Sequence, residues 1–474
     1  MLGIALLCGA AIGVLGGILA LILAAVSIGA ILTFANYHIG IWAVILLLPF
    51  SATRLIPRQM FGISGLNPLN VILAATIVSL VLAWILRPKN VVFPRYPDLW
   101  WLYTLPFVFA AVHGAFYSGE IPAVYADPDS AITSGVQGYL QEVLVKPFIL
   151  VVAAVVASFS IREGEETTRW QMVPVFLAAM LFSAIICYSV ATGGFSLGAL
   201  ASSTSRTFLS WTGMHANDLG LLLNTAFALA LFTWAQTSQR IVRTLLTVVI
   251  VLLSISVALT FSRGAYLGFL SAVVYFLFTR RKLSWFLFSL IIAATAIAFM
   301  PSEIIERAFF GVREANLARV SAGRIDGIWL PLLPTVFESP FIGGGLASIM
   351  WSEPIRRGSA LTVVHAHSAY LQLLLDVGIL GAVLVGSFWF RLWRHFRNLS
   401  HRLHDTTWRG YFEGASVAIL IMLVQGVTDG HFTPAFTQSF IWVSAGVSFG
   451  LANRSPSDMP RETMPSEGTQ KKTA

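Results

Sequence analysis

Apolar runs of about 20 residues follow one another from the first residues to about position 451, and nearly all of the charge lies in the short segments between them. A run of that length is what an α-helix needs to cross a hydrocarbon core. Hydrophobic residues make up 57% of the chain, charged residues only 11%, and the mean hydropathy is +0.78. A soluble globular protein of 474 residues does not have this composition, so the solvent for most of the chain is a bilayer. The expected fold is all-α and polytopic, a single integral membrane domain of about twelve to fourteen helices.

Read run by run, thirteen helices are expected, at about 2–24, 27–51, 67–86, 99–118, 138–160, 171–191, 217–235, 241–260, 264–279, 284–300, 368–390, 411–429 and 434–451. A polar tail, about 454–474, has the composition of a disordered segment. Basic clusters orient the bundle: Arg87 and Lys89, Arg240 and Arg243, Arg280-Arg281-Lys282, and Arg391 through Arg397 to Arg409 all fall on one side, expected to be cytoplasmic. The outer loops are then about 52–66, 119–137, 192–216 and 301–366. The first fifty residues hold no Lys, Arg, Asp or Glu, so nothing there orients the opening hairpin. That opening stretch lacks a basic leader and a cleavage site and reads as a retained helix.

The net charge of +8 is spread through inter-helix loops rather than gathered on a basic face, which argues against a nucleic-acid partner. Cys8 and Cys187 both fall in apolar segments, where they are small hydrophobes, and neither redox nor zinc chemistry is expected of them. No cofactor is called for.

The outer loop of about 65 residues is too long for a turn. It opens with Ser302-Glu-Ile-Ile-Glu-Arg-Ala-Phe-Phe, whose apolar positions 304, 305, 308 and 309 share one helical face and suit a membrane surface. Its six arginines, including Arg324, Arg356 and Arg357, run against the positive-inside preference. They fit a diphosphate-bearing lipid headgroup, or they pair with the loop's own six acids. Arg263, in the tight turn Ser262-Arg263-Gly264 between two apolar helices, is either a phosphate ligand or an interfacial residue snorkelling to water. His365 and His367 stand at the outer start of the helix that Ser368 caps. Their spacing suits some metal sites, yet no carboxylate or cysteine lies within a few residues, so a proton acceptor is the better reading and no metal is assigned. The cluster Thr428-Asp429-Gly430-His431, at an outer helix end, reads as structural first and as a lining of the acceptor groove second.

Taken in order, Gly213-Met-His-Ala-Asn217-Asp-Leu-Gly, Ser262-Arg263-Gly264, Gly323-Arg324-Ile-Asp-Gly-Ile-Trp329, Ser339-Pro340-Phe-Ile-Gly343-Gly-Gly345, His365-Ala-His367-Ser-Ala-Tyr370-Leu and Asp376-Val-Gly378-Ile-Leu-Gly381 resemble the O-antigen ligase and O-antigen polymerase superfamily over about residues 205–400. Ser368 and Asp376 stand where that family usually has Asn and Glu. The resemblance implies an inverting membrane glycosyltransferase using an undecaprenyl-diphosphate-linked glycan donor and a glycan acceptor. On its terms Arg263 and Arg324 hold the diphosphate, His367 with His365 serves the acceptor hydroxyl, and Arg356, Arg357, Asn217 and Tyr370 contact substrate. The chain then divides into helices 1–204, a catalytic membrane region 205–452 and the tail 453–474. Its implied setting is the bacterial inner membrane, with the active site facing the periplasm and chain-length regulators or other assembly proteins as partners. A ligase acting on lipid A core or a protein shares this chemistry. A lipid-linked glycan transporter or flippase would place charges mid-membrane, where few occur here, and an assembly scaffold would tolerate loss of His367 and Arg263.

Overall fold

The computed structural model describes residues 27–57, 59–60, 63–86, 99–122, 131–160, 169–193, 211–280, 321, 323–356, 361 and 363–452. The expected helices at 2–24 and 284–300, the amphipathic stretch 302–309, Arg357, the boundary at 204–205 and the polar tail lie outside them.

Within the described residues the apolar runs are helical: α1 (Tyr37–Leu47), α2 (Pro68–Leu86), α3 (Leu99–Ala115), α4 (Gly135–Ser158), α5 (Val173–Thr192), α6 (Ala216–Gln236), α7 (Arg240–Ala258), α8 (Arg263–Arg280), α9 (Leu330–Glu338), α10 (Ala369–Arg402), α11 (Thr406–Gln425) and α12 (Ser439–Ala452). Strand structure among them amounts to one two-residue hairpin, Gln59–Met60 with Ile63–Ser64. Six of the helices, α2, α4, α5, α6, α7 and α10, are long and apolar enough to cross a bilayer. The chain is an all-α, multi-pass membrane protein.

Helix α6 is the hub. Of its span 78% is buried, against 28% for α7, whose Ile241, Leu245 and Val248 remain exposed as a lipid-facing stripe. The closest partner of α6 is α11, and small residues allow it. A Cβ on Gly414 would lie 2.6 Å from the Ala228 carbonyl oxygen, and one on Gly410 would lie 2.5 Å from that of Phe232. Helix α12 packs on α4, and α10 on α3, so helices from before residue 204 and after it share one core.

Among the helix boundaries that differ from the apolar runs, three have a local reason. The run 27–51 breaks at Asn36, whose extended backbone and side-chain oxygen cap α1 through the His38 amide. The run 411–429 ends as a helix at Gln425, which leaves Thr428 and Asp429 in a non-helical turn. Helix α10 runs on to Arg402 but is broken at Gly378, with φ 65° and ψ −173°. The break is filled from outside: Ile379 and Leu380 amides donate to the Pro340 and Phe341 carbonyls, while Gly344 and Gly345 donate to those of Leu375 and Asp376. The segment 339–345 therefore inserts into α10 and satisfies the backbone groups that the break would orphan in lipid.

Candidate active site

The insertion of 339–345 leaves α9 and the start of α10 side by side at one end of the bundle. Trp329 Nε1 donates to the Ala366 carbonyl (2.9 Å), and the Ala366 amide donates to Gln372 Oε1 (3.1 Å). With Ala366 fully buried and held at both ends, its neighbours His365 and His367 are fixed in direction. His367 takes a left-handed backbone (φ 48°), a conformation costing a non-glycine residue about 1–3 kcal/mol and found disproportionately at functional sites. Ser368 then caps α10.

The turn after α11 brings Asp429 to this corner. Its carboxylate is 5% exposed and collects four neighbours: Asn217 Nδ2 at 2.6 Å, His215 Nδ1 at 3.3 Å, His367 Nδ1 at 3.4 Å and Arg324 at 3.9 Å. Arg324 also donates to the Thr428 carbonyl. Burial alone pushes the Asp429 carboxyl up, but hydrogen bonds from His215, His367 and Asn217 outweigh it and hold the group well below the usual carboxylate range. Asp429 is therefore an anion at any working pH, and it accepts from the Nδ1 of His367. That tautomer leaves His367 Nε2 as a lone pair available to substrate.

His215 faces a competition. Its Nδ1 also lies 3.4 Å from the Asn217 amide, so as an acceptor it caps α6 and as an N–H donor it reaches Asp429, but not both at once. The His365 ring lies 3.7 Å from that of His367 between centroids, tilted by 52°, and its Nδ1 accepts the His367 amide at 3.3 Å. Burial and the neighbouring His367 push its pKa down to about 4. With Nδ1 accepting the His367 amide, the neutral ring carries its proton on Nε2 and offers a donor there. Burial lowers Arg324 as well, with Asp429 opposing.

Arg263 occupies the first position of α8 and is half-buried. Its turn abuts the cluster: the Ser262 hydroxyl donates to Asn217 Oδ1, and a Cβ on Gly264 would lie 3.0 Å from the Thr428 hydroxyl and 3.2 Å from Asn217 Oδ1. Below it, Gln425 Nε2 donates to the Gly264 carbonyl (2.9 Å) and Asn224 donates to that of Ala265 (2.8 Å), locking α6, α8 and α11 under the site.

The structure thus brings Asn217, Arg324, His365 and His367 together and sets the Arg263 turn against them. Arg356 is elsewhere, paired with Glu120 beyond the end of α3. Tyr370 donates to the Leu423 carbonyl (2.8 Å) and stands at the mouth of an apolar cleft of about 460 Å³ that follows α10 past Trp389 to Trp393. Two residues of the cluster, His215 and Asp429, are not among the site residues that the sequence points to. A polar run at a helix end was the available signal, and only the fold shows that it faces the histidines.

His365, His367 and Asp429 offer ligand atoms within 4.8 Å of one another, so the carboxylate missing near the His-x-His pair is supplied from 62 residues away. Arg324 already stands against the same carboxylate, and its fixed positive charge disfavours a second cation there.

No curated protein matches the chain. Residues 248–386, from within α7 to within α10 and including Arg263, Arg324, His365 and His367, match the family model described as O-antigen ligase (Wzy_C), which places this stretch of the chain in the O-antigen ligase and polymerase superfamily.

Proposed function

We propose that the protein is an inverting glycan polymerase of the inner membrane, with its site on the periplasmic side. It transfers a glycan from undecaprenyl diphosphate to a sugar hydroxyl of another chain, in exopolysaccharide or O-antigen assembly. The observation that carries the reading is the convergence of His367 and Arg324 on the buried carboxylate of Asp429, beside the Arg263 turn, at one end of a membrane bundle.

The chemistry follows from the atoms. The acceptor hydroxyl oxygen attacks the anomeric carbon of the donor, the bond from that carbon to the diphosphate oxygen breaks, and the configuration inverts. The hydroxyl proton passes to His367 Nε2, a positioned base worth about 10²–10⁴ in rate. Asp429 keeps the ring in the required tautomer and stabilises the imidazolium that forms, the division of labour of a base and its orienting carboxylate. The diphosphate departs with the electron pair of the broken bond. Its charge is met by Arg263 and by the N–H donors of Arg324 that Thr428 and Asp429 leave unused, since a guanidinium carries five. His365, a neutral donor, holds a sugar or phosphate oxygen. Asn217 positions Asp429, and Tyr370 borders the path of the lipid. Arg356 and Arg357 contact the glycan further out, and partners include chain-length regulators or other assembly proteins.

The test is polymer length in a deletion strain complemented with wild type, His367→Ala or Arg263→Ala, with membrane levels checked. Single repeat units left on the lipid are expected from both variants. Full-length lipid-linked polymer that fails to reach lipid A core or protein would make the enzyme a ligase, and normal polymer on its final acceptor would remove both residues from the chemistry.

A further inference from the structure

At the end of the bundle opposite His367, the structure holds a second pocket, of about 360 Å³. Helix α6 starts beside Asp429 and ends at Gln236 in this pocket; α11 starts near it and returns to Gln425 below the candidate active site. Helices of 21 and 20 residues span about 30 Å, so the two sites lie on opposite membrane faces. The pocket is on the face where the basic clusters gather.

Among the described residues its lining holds three guanidiniums, Arg280, Arg397 and Arg409, together with His401 and a single carboxylate, Glu413. Glu413 is already engaged: Arg280 pairs with it at 2.8 Å, and Gln236 donates to the same oxygen. The contacts of Arg397 and Arg409 with protein oxygens are to neutral atoms, the Tyr275 hydroxyl and, at 3.3 Å, the Ser400 carbonyl. The Nε of Arg280 is buried and has no hydrogen-bond partner. Two half-buried guanidiniums without a carboxylate in the lining to answer them make a cavity that favours an anion. The rim says which kind. Phe278, 71% exposed, is part of the lining and sits at headgroup depth at the end of α8, so the pocket presents apolar surface beside its charge.

We propose that this pocket binds the headgroup of an anionic phospholipid of the cytoplasmic leaflet. The phosphodiester lies between Arg397 and Arg409, and the acyl chains leave past Phe278. Basic pockets between membrane helices on this face are a recurrent form of lipid recognition. A zwitterionic lipid fits less well, because its ammonium would need a free carboxylate and the lining's Glu413 is taken. The site does not depend on the transfer reaction proposed above; bound lipid would brace the inner ends of α6, α8, α10 and α11, the helices that carry the candidate active site at their outer ends.

Native mass spectrometry of the full-length protein, titrated with phosphatidylglycerol and with phosphatidylcholine of the same acyl chains, tests this. Phosphatidylglycerol should be retained about tenfold more tightly, and Arg397→Gln/Arg409→Gln should erase that preference. Arg391→Gln/Arg394→Gln, on exposed arginines outside the pocket, should leave it intact. If the double pocket variant does not fold, the single Arg409→Gln together with the wild-type lipid comparison decides. Equal retention of the two lipids, or equal loss in the control variant, would overturn the proposal. So would binding of glycerol 3-phosphate as tight as that of the lipid, which would make the ligand a soluble phosphate.

Discussion

Asp429 is the residue on which the candidate site turns. A buried anion is costly unless its neighbours donate to it, and here an amide, two imidazoles and a guanidinium surround one carboxylate. Asp429→Asn keeps the shape but no longer needs the Nδ1–H tautomer of His367, so turnover should fall about 100-fold or more while donor KM changes little. A KM rise at unchanged kcat would instead make Asp429 a substrate ligand. His365 gives a second test. Its folded pKa is about 4 against an ordinary 6.5, so between those values the unfolded chain holds a proton that the folded one lacks. Stability present above pH 6.5 should therefore decline as pH falls towards 4. Asp429, held ionised in the fold, adds to the decline only at the bottom of that window, where the unfolded carboxylate begins to take up its proton. Thermal unfolding in detergent should show the decline in wild type and a flatter profile in His365→Gln; parallel profiles would mean that His365 is not the group responsible.

At the scale of the element, the broken helix α10 is the device that builds the site. Its N-terminal half carries His367 and Ser368 at its mouth, and the break at Gly378 admits the segment 339–345, whose backbone pairs with both halves. Any side chain at 378 would collide with the backbone of Phe341 to Gly343 and would have to adopt a left-handed backbone. Gly378→Ala should thus cost about 2 kcal/mol or more, read as a lower unfolding temperature and reduced membrane level, with activity lost in proportion to protein. Unchanged stability would show that the insertion is not what holds the outer segment to the bundle. Asp376 belongs to the same joint: it accepts from the Ser348 amide and hydroxyl at 3.3 and 3.2 Å and from Gln372 at 2.9 and 3.0 Å, so its role is to hold the inserted segment rather than to meet substrate.

For the whole molecule the question is which face carries what. Two polar ends cap one apolar bundle: the Asp429 cluster at one end and the arginine pocket at the other. In the proposed orientation the arginine end faces the cytoplasm. Cysteines introduced singly at Glu353 and His401, both exposed, in a background lacking the two native cysteines, should answer oppositely to an impermeant thiol reagent on intact cells. Position 353 should label and 401 should not; the reverse would put the histidines on the side where the proposed lipid-linked donor is not delivered.

The amino-acid sequence by itself determined the class of fold, the approximate position of the described helices other than α9, which lies inside the expected outer loop 301–366, and the identity of His367 and Arg263 as residues of interest, with Arg324 added by the family resemblance. The fold class and the helix positions follow from short-range physics, because apolar run length sets a membrane helix, and Arg263 and His367 stand out as polar side chains at helix ends against an apolar background. Only the tertiary structure decided that Asp429 closes on His367 from 62 residues away, that Gly378 breaks its helix to receive a distant loop, and that Arg356 answers Glu120 rather than the histidines. Each of these depends on which helices become neighbours. That choice is made by close packing, such as Gly410 and Gly414 of α11 seated against the backbone of α6, and no pattern along a single segment records it.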